Sequence, residues 1–381
     1  MIRLAIISTH PIQYNAPFFK ELSLQKDLNV KIFYTWSQAK GKIHDPGFGI
    51  IREWDIPLLE GYEFEFVKNI SSRPGSDHFW GIINPFLLRK LREWEPDFIL
   101  VYGWAFYSHL RVIKYFHKKK PIIFRGDSTI LDLSKGLKNL LKRIFLRWVY
   151  GSVDICLYVG KNNLDYFKAY GVRDENLKYL PHAVDNERFG DPDQSTVTSE
   201  IALLKSKIAG RTLFLFAGKL EKKKNPLLLA QAFQSLNDKK TALLFVGNGE
   251  LEEELKAITA GINNIYFLPF QNQTTIRAIY HMADILVLPS AWNETWGLVV
   301  NEAMAAGLAI IVSDRVGCAP DMVENNYNGF VIRSGDITSL VKSMAAMHGT
   351  KLMSMKEASK EKIKNFTIQG NVSELTKILH I

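Results

Sequence analysis

The stretch Ala283 to Gly307, ADILVLPSAWNETWGLVVNEAMAAG, constrains the fold of this chain most. Its apolar run, Ile285 to Leu288, lies between Asp284 and the Pro289-Ser290 break and reads as a short strand buried on both faces. A polar loop, Ser290 to Thr295, follows. A helix is expected from about Trp296-Gly297, through Val299, Val300, Ala303 and Met304, to a stop at Gly307. A doubly buried strand that feeds straight into a helix belongs in a parallel sheet covered by helices on both faces. Two carboxylates sit in this unit. Glu294 lies in the loop, and Glu302 lies one turn inside the helix, beneath Leu298 at i, i+4. Doubly wound sheets bind ligands outside the carboxyl ends of their strands. The N–H groups of Trp296, Gly297 and Leu298 at the helix start suit a phosphate. Acids beside an anion site fit a ligand that carries hydroxyls next to phosphates, because carboxylates accept hydrogen bonds from hydroxyls.

The same alternation runs through the chain. Strands are expected at Leu4–Ile7, Val30–Tyr34, Phe98–Tyr102, Pro121–Phe124 and Asp154–Val159, and again at Leu213–Phe216, Leu243–Val246, Ile265–Leu268, Ile310–Val312 and Phe330–Ile332. A length of 381 residues is long for one core and suits two. The expectation is therefore an α/β chain of two doubly wound, Rossmann-like domains facing a cleft: 1–190 first, 209–360 second. Residues 191–208, rich in turn formers and polar residues, read as the linker, and 361–381 as a closing helix. Thr35 to Ser76, polar and aromatic with little periodicity, reads as an insertion that shapes an acceptor site. Asp191-Pro-Asp193 imitates a metal-binding D-x-D, but no strand precedes it, and coincidence is the better reading.

No apolar stretch approaches the ~18 residues of a spanning helix, and MIRLAIISTHP reads as a first strand rather than a signal peptide. Cys156 and Cys318, far apart, make neither a disulfide framework nor a zinc spacing, which fits a reducing, cytoplasmic compartment. The formal charge of +9 is local. Residues 111–150 hold 11 Lys and Arg against two acids, so the rest of the chain is balanced. Within that segment, residues 135–150, KGLKNLLKRIFLRWVY, form an amphipathic helix pattern with Lys138, Lys142, Arg143 and Arg147 on its polar side. Such a helix suits the surface of an anionic membrane, with the protein peripheral at the inner face. No aromatic-interleaved basic motif points to nucleic acid.

Further candidates stand at strand ends. The first strand ends in Ser8-Thr9-His10-Pro11-Ile12-Gln13, which has no G-x-G-x-x-G, so His10 would line the crevice. The strand to Phe124 ends in Arg125-Gly126-Asp127-Ser128, where Asp127 is placed to accept a hydroxyl's hydrogen bond and Arg125 to meet an anion. The strand to Phe216 ends in Ala217-Gly218-Lys219-Leu220, and Lys222-Lys223-Lys224-Asn225-Pro226 opens a helix. Gly247-Asn248-Gly249 follows the next strand, its glycines allowing close backbone approach to a ligand, and Pro269-Phe270 follows the one after.

Taken together, Pro289-Ser290, Glu294, seven residues, Glu302-Ala303-Met304 and Gly307 resemble the E-x7-E signature of retaining glycosyltransferases of family 4, whose architecture is GT-B. The resemblance implies transfer of a hexose-type residue from a nucleotide diphosphate sugar, UDP-linked, to a glycan or lipid-linked acceptor. It implies no cofactor and no metal. Under it, Lys219 and Lys224 neutralise the departing diphosphate, Glu302 takes the ribose hydroxyls, and Glu294 contacts and orients the sugar. The backbone around Phe270 meets the base, and Asp127 and His10 lie near the acceptor. Envelope or capsule polysaccharide synthesis is the pathway that the family suggests.

The chain departs from the family in three places. Thr295-Trp296-Gly297 replaces the usual Gly-Phe-Gly, Lys219 replaces an Arg and so loses its bidentate fork, and Arg125-Gly126-Asp127 stands where several members carry a His. Two alternatives stay open: a sugar-nucleotide 2-epimerase of the same architecture, and a non-catalytic nucleotide-sugar-binding protein.

Overall fold

The structure is a computed structural model that describes residues 1–39, 43–45, 50–52, 54–131, 136–192 and 197–380. Its strands are β1 (Ile2–Ser8), β2 (Leu28–Tyr34), β3 (Ile43–Asp45), β4 (Ile50–Arg52), β5 (Glu63–Phe66), β6 (Phe98–Tyr102), β7 (Ile122–Arg125), β8 (Ile155–Tyr158) and β9 (Leu177–Tyr179). They continue as β10 (Thr212–Ala217), β11 (Thr241–Val246), β12 (Ile265–Leu268), β13 (Ile285–Leu288), β14 (Ala309–Ser313) and β15 (Gly329–Ile332). The chain divides into two compact units: Met1–Ile43, Pro57–His182 and Ile368–Ile381 in the first, and His44–Ile56 and Ala183–Thr367 in the second.

In the first unit seven parallel strands run in the order β5-β2-β1-β6-β7-β8-β9. Every residue of β1 from Leu4 to Ile7 is fully buried, as a strand covered by helices on both faces requires. The core on one face gathers Ile7, Val101, Phe124, Val112, Ile113, Leu146 and Phe167. The helix Ile368–Ile378 packs against the helix Ala16–Ser23 of this unit and buries Ile368, Val372, Leu375 and Ile378.

Within Thr35 to Ser76, read as an insertion of little periodicity, β5 joins the edge of the sheet. Its Glu63-Phe64-Glu65-Phe66 alternation pairs with Lys31 to Tyr34, and the Lys31 ammonium sits 3.0 Å from Glu63 and 3.3 Å from Glu65. Four residues give too short an alternation to stand out from an aromatic loop, whereas the cross-strand charges fix them at a sheet edge.

In the second unit six parallel strands run in the order β12-β11-β10-β13-β14-β15. β11, β13 and β14 are buried along their whole length. Each Leu, Ile or Val so buried contributes roughly 1.5–3 kcal/mol relative to exposure. Residues 199–208, read as linker, are instead a helix, Ser199–Ile208, whose Thr198 side chain accepts the Ile201 amide at 3.3 Å. Its buried Ile201, Leu204 and Ile208 recur at helical spacing, so apolar period outweighed polar composition. Of the D-x-D imitation, Asp193 lies outside the described residues.

Candidate active site

The order of the second sheet reverses between β10 and β13, so the loops after these two strands open side by side at the carboxyl ends. That is where open α/β sheets take their ligands. After β10, Gly218 holds a φ of +151°, and a Cβ there would lie 3.4 Å from Lys224 Cδ; the glycine makes room for the Lys224 stem. Lys222–Lys224 form a short helical turn, Asn225 takes a left-handed φ of +53°, and Pro226 starts the helix Pro226–Leu236. The two loops are tied at the backbone, Ala291 N donating to Lys223 O at 2.7 Å. At their junction Lys224 Nζ meets Glu294 Oε2 at 2.5 Å, and Ser290 Oγ donates to the same oxygen at 3.3 Å. Both side chains of the pair are only 14% exposed, so the interaction is shielded from most of the water that weakens surface ion pairs.

The β14 loop holds Glu294 from behind. Gly317 N donates to Glu294 O at 2.9 Å, and Cys318 N donates to Trp296 O at 3.0 Å. A Cβ on Gly317 would fall 1.8 Å from Thr295 O, so only glycine fits. Burial, then the charges of Glu294 and Asp321, push the Cys318 thiol well up, and it stays neutral. Gly297, with φ +94°, caps the helix Leu298–Ala305, and a Cβ there would lie 2.9 Å from Val316 Cγ1. The first N–H groups of that helix, from Leu298 on, have no partner within the helix itself. Trp296, where the resembled family has Phe, is 3% exposed. Its indole N–H is satisfied by Asn301 Oδ1 at 2.8 Å, so the larger ring is absorbed by a buried amide on the same helix.

The other sequence candidates of this unit have partners of their own. The Glu302 carboxylate is buried and accepts the Tyr280 hydroxyl at 2.6 Å. Tyr280, 22 residues upstream, was missed because no spacing links it to Glu302. Lys219 stands half-buried on the loop of Gly218. Gly247 and Gly249 make their close approaches to the chain's own backbone. A Cβ on Gly247 would lie 2.1 Å from Gly218 O, and one on Gly249 would lie 2.4 Å from Leu220 O. These glycines let two loops lie in contact. The Phe270 amide donates to Asn248 Oδ1 at 2.8 Å, so that N–H is engaged within the protein.

In the first unit the corresponding reversal lies between β1 and β6. His10 follows β1, its Nδ1 3.0 Å from Thr9 Oγ1 and its ring edge-on to Trp36 at 5.2 Å. Asp127 is exposed on the loop after β7. It does not cap the following helix, which begins at Leu137 after Gly136. Arg125 is not placed to meet an anion. Its guanidinium is buried and donates to Leu180 O at 2.8 Å and Pro181 O at 3.2 Å. Burial, then the Arg125 charge, hold the neighbouring His182 well below the usual imidazole range.

Comparison with known proteins follows this geometry. Residues 204–365 match the family model "Glycosyl transferases group 1". Over 237 residues the chain is 30% identical to UDP-Gal:alpha-D-GlcNAc-diphosphoundecaprenol alpha-1,3-galactosyltransferase of Escherichia coli, covering 58% of each chain. Over 134 residues it is 34% identical to spore coat protein SA of Bacillus subtilis, covering 32% of this chain and 35% of that one. The chain thus spans between a third and three fifths of the length of these relatives. The solved structure of Anabaena Alr3699/HepE in complex with UDP superposes with a TM-score of 0.73 at 16% identity, covering 100% of both chains. Residues 204–365 are accordingly similar to glycosyl transferases group 1, in a chain whose two parallel-sheet, Rossmann-like units have the GT-B fold.

Proposed function

We propose that this protein is a retaining glycosyltransferase of the family 4 type, moving a hexose from a UDP-linked donor to a hydroxyl of a glycan or lipid-linked acceptor. The observation that carries the reading is the Lys224–Glu294 pair, 2.5 Å apart at the sheet's switch point. A ligand with a hydroxyl beside a phosphate satisfies both partners at once: the sugar hydroxyl donates to Glu294, and the diphosphate accepts from Lys224. In the transfer, the bond between the anomeric carbon and the diphosphate oxygen breaks and its electron pair leaves with the diphosphate. The acceptor oxygen bonds to the anomeric carbon, and its proton passes to the leaving group or to solvent. The cations of Lys224 and Lys219 stabilise charge building on the diphosphate, without a metal or other cofactor in this reading. The buried Glu302 carboxylate, steadied by Tyr280, is assigned to the ribose hydroxyls. Asp127 and His10 are assigned to the acceptor side.

The name of the Escherichia coli relative, which gives UDP-Gal as donor and a diphosphoundecaprenol-linked sugar as acceptor, supports a UDP-sugar donor and a lipid-linked acceptor. The test is incubation with UDP-hexoses and saccharide acceptors, with the product's anomeric configuration read by NMR. An axially linked product from an axially linked donor is expected. An inverted product, or an epimerised nucleotide sugar formed without acceptor, overturns the reading.

A further inference from the structure

The helix Leu137–Tyr150 is docked on the first unit by a face other than its most apolar one. Leu146, Val149 and Tyr150 turn inward and are buried. Leu140, Leu141, Ile144, Phe145 and Trp148 form a stripe on the outer side and are 53%, 60%, 60%, 37% and 53% exposed. At 100° per residue these five positions span one sector of the helix, with the exposed Arg143 and Arg147 along one flank. The side chains of Leu137 and Lys138 lie outside the described residues, as does Lys135.

The stripe is bordered by Trp104, which meets Phe145 edge-on at 5.4 Å, and by Lys114 of the neighbouring helix, Tyr107–Phe116, whose Nζ lies 3.3 Å over the Trp148 ring. Soluble surfaces seldom gather this much contiguous apolar area without a partner.

We infer that this face seats on an anionic lipid surface, the stripe entering the headgroup boundary and the flanking cations meeting lipid phosphates. Charge selects the occupant. The sequence has no Asp or Glu from Phe98 to Gly126 or from Leu133 to Val153, while Lys and Arg recur throughout. A second copy of the chain would bring the same cations against these and be repelled. Trp and Tyr rings beside long cationic stems match the chemistry of a membrane boundary. No helix among the described residues is long and apolar enough to cross a membrane, so this helix lies on the surface. The inference does not rest on the glycosyl transfer reading, and its readout is independent of catalysis.

The test is co-sedimentation of the full chain with vesicles of phosphatidylcholine alone and of phosphatidylcholine mixed with phosphatidylglycerol, at low and high salt. The mixed vesicles should bind the protein at low salt, and the neutral ones should not. Arg143→Ala/Arg147→Ala should weaken binding about 30-fold, two cations at the surface being worth about that much. Leu141→Glu/Ile144→Glu should reduce it to background, with an unchanged circular dichroism spectrum and melting temperature. Failure of the wild-type chain to bind anionic vesicles overturns the inference. So does equal binding by the Glu variant, or a dimer in analytical ultracentrifugation that this variant turns into monomer.

Discussion

Trp296 Nε1 donates to Asn301 Oδ1 at 2.8 Å, both side chains buried within the helix-start unit that also presents Glu294. The Trp that stands where the resembled family has Phe thus finds its partner in the same unit: the indole brings a buried donor, and Asn301 supplies its acceptor. Asn301→Ala leaves the indole N–H unsatisfied and should cost about 1–3 kcal/mol. Trp296→Phe removes the donor and strands the amide at similar cost. In a double-mutant cycle read by urea unfolding, the pair should show a coupling of about 1 kcal/mol. Strictly additive costs would show that the bond contributes nothing.

His109 makes stability depend on pH. It is fully buried, its Nδ1 2.9 Å from Tyr102 O and 3.1 Å from Gly103 O, and its Nε2 2.8 Å from Thr35 Oγ1. The two carbonyls require the proton on Nδ1, and the single Thr35 hydroxyl hydrogen is shared between Nε2 and Ser8 O, 3.1 Å away. Burial lowers its pKa to about 4. The unfolded chain takes up a proton near the ordinary imidazole value of 6.5 and the folded chain only near 4, so the contribution is complete above 6.5 and is lost as pH falls towards 4. The loss amounts to roughly 1.4 kcal/mol per pH unit within that window. In denaturant titrations between pH 7 and 4.5, His109→Gln should reduce the slope by about that amount, the buried His182 keeping its own share, while lowering stability at pH 7. An unchanged slope in the variant would assign the effect elsewhere.

Gly317→Ala should unfold the loop that backs Glu294. The added methyl would overlap Thr295 O at 1.8 Å, and the backbone hydrogen bonds from Gly317 and Cys318 to Glu294 and Trp296 must then separate. The melting temperature should fall by several degrees, a loss on the order of 2 kcal/mol or more, and transfer should fall with it. Gly190→Ala, where the backbone is not left-handed and a Cβ would meet nothing nearer than Ala305 O at 3.4 Å, is the control and should cost less.

Much of this architecture is legible in the sequence, for physical reasons that differ by element. Doubly buried strands such as Ile285 to Leu288 show as unbroken apolar runs, and the strand–helix alternation follows from them. Lys224 and Glu294 were readable because each stands at a strand end, and the parallel sheet brings those ends together across 70 residues. Tyr280, Asn301 and Gly317 were not readable as parts of the site. Their roles depend on contacts between elements, and neither helical nor strand period encodes a hydroxyl beside Glu302 or a missing methyl beside Thr295. The helix Leu137–Tyr150 is the instructive case: its amphipathic pattern was plain, but only the packing showed that Leu146 and Val149, not the Leu141–Ile144 stripe, face inward.

The pairing of Lys224 with Glu294 carries the central claim, and donor binding together with transfer measures it most directly. UDP and UDP-hexose affinities should be titrated calorimetrically for the wild type, Lys224→Ala and Glu294→Ala, alongside transfer rates. Lys224→Ala should weaken both ligands. Glu294→Ala should spare UDP and remove the additional affinity for UDP-hexose. Each should lower transfer at least about a hundredfold, in line with the loss of one preorganised electrostatic group, with the fold retained by circular dichroism. Near-normal transfer by either folded variant would contradict the account.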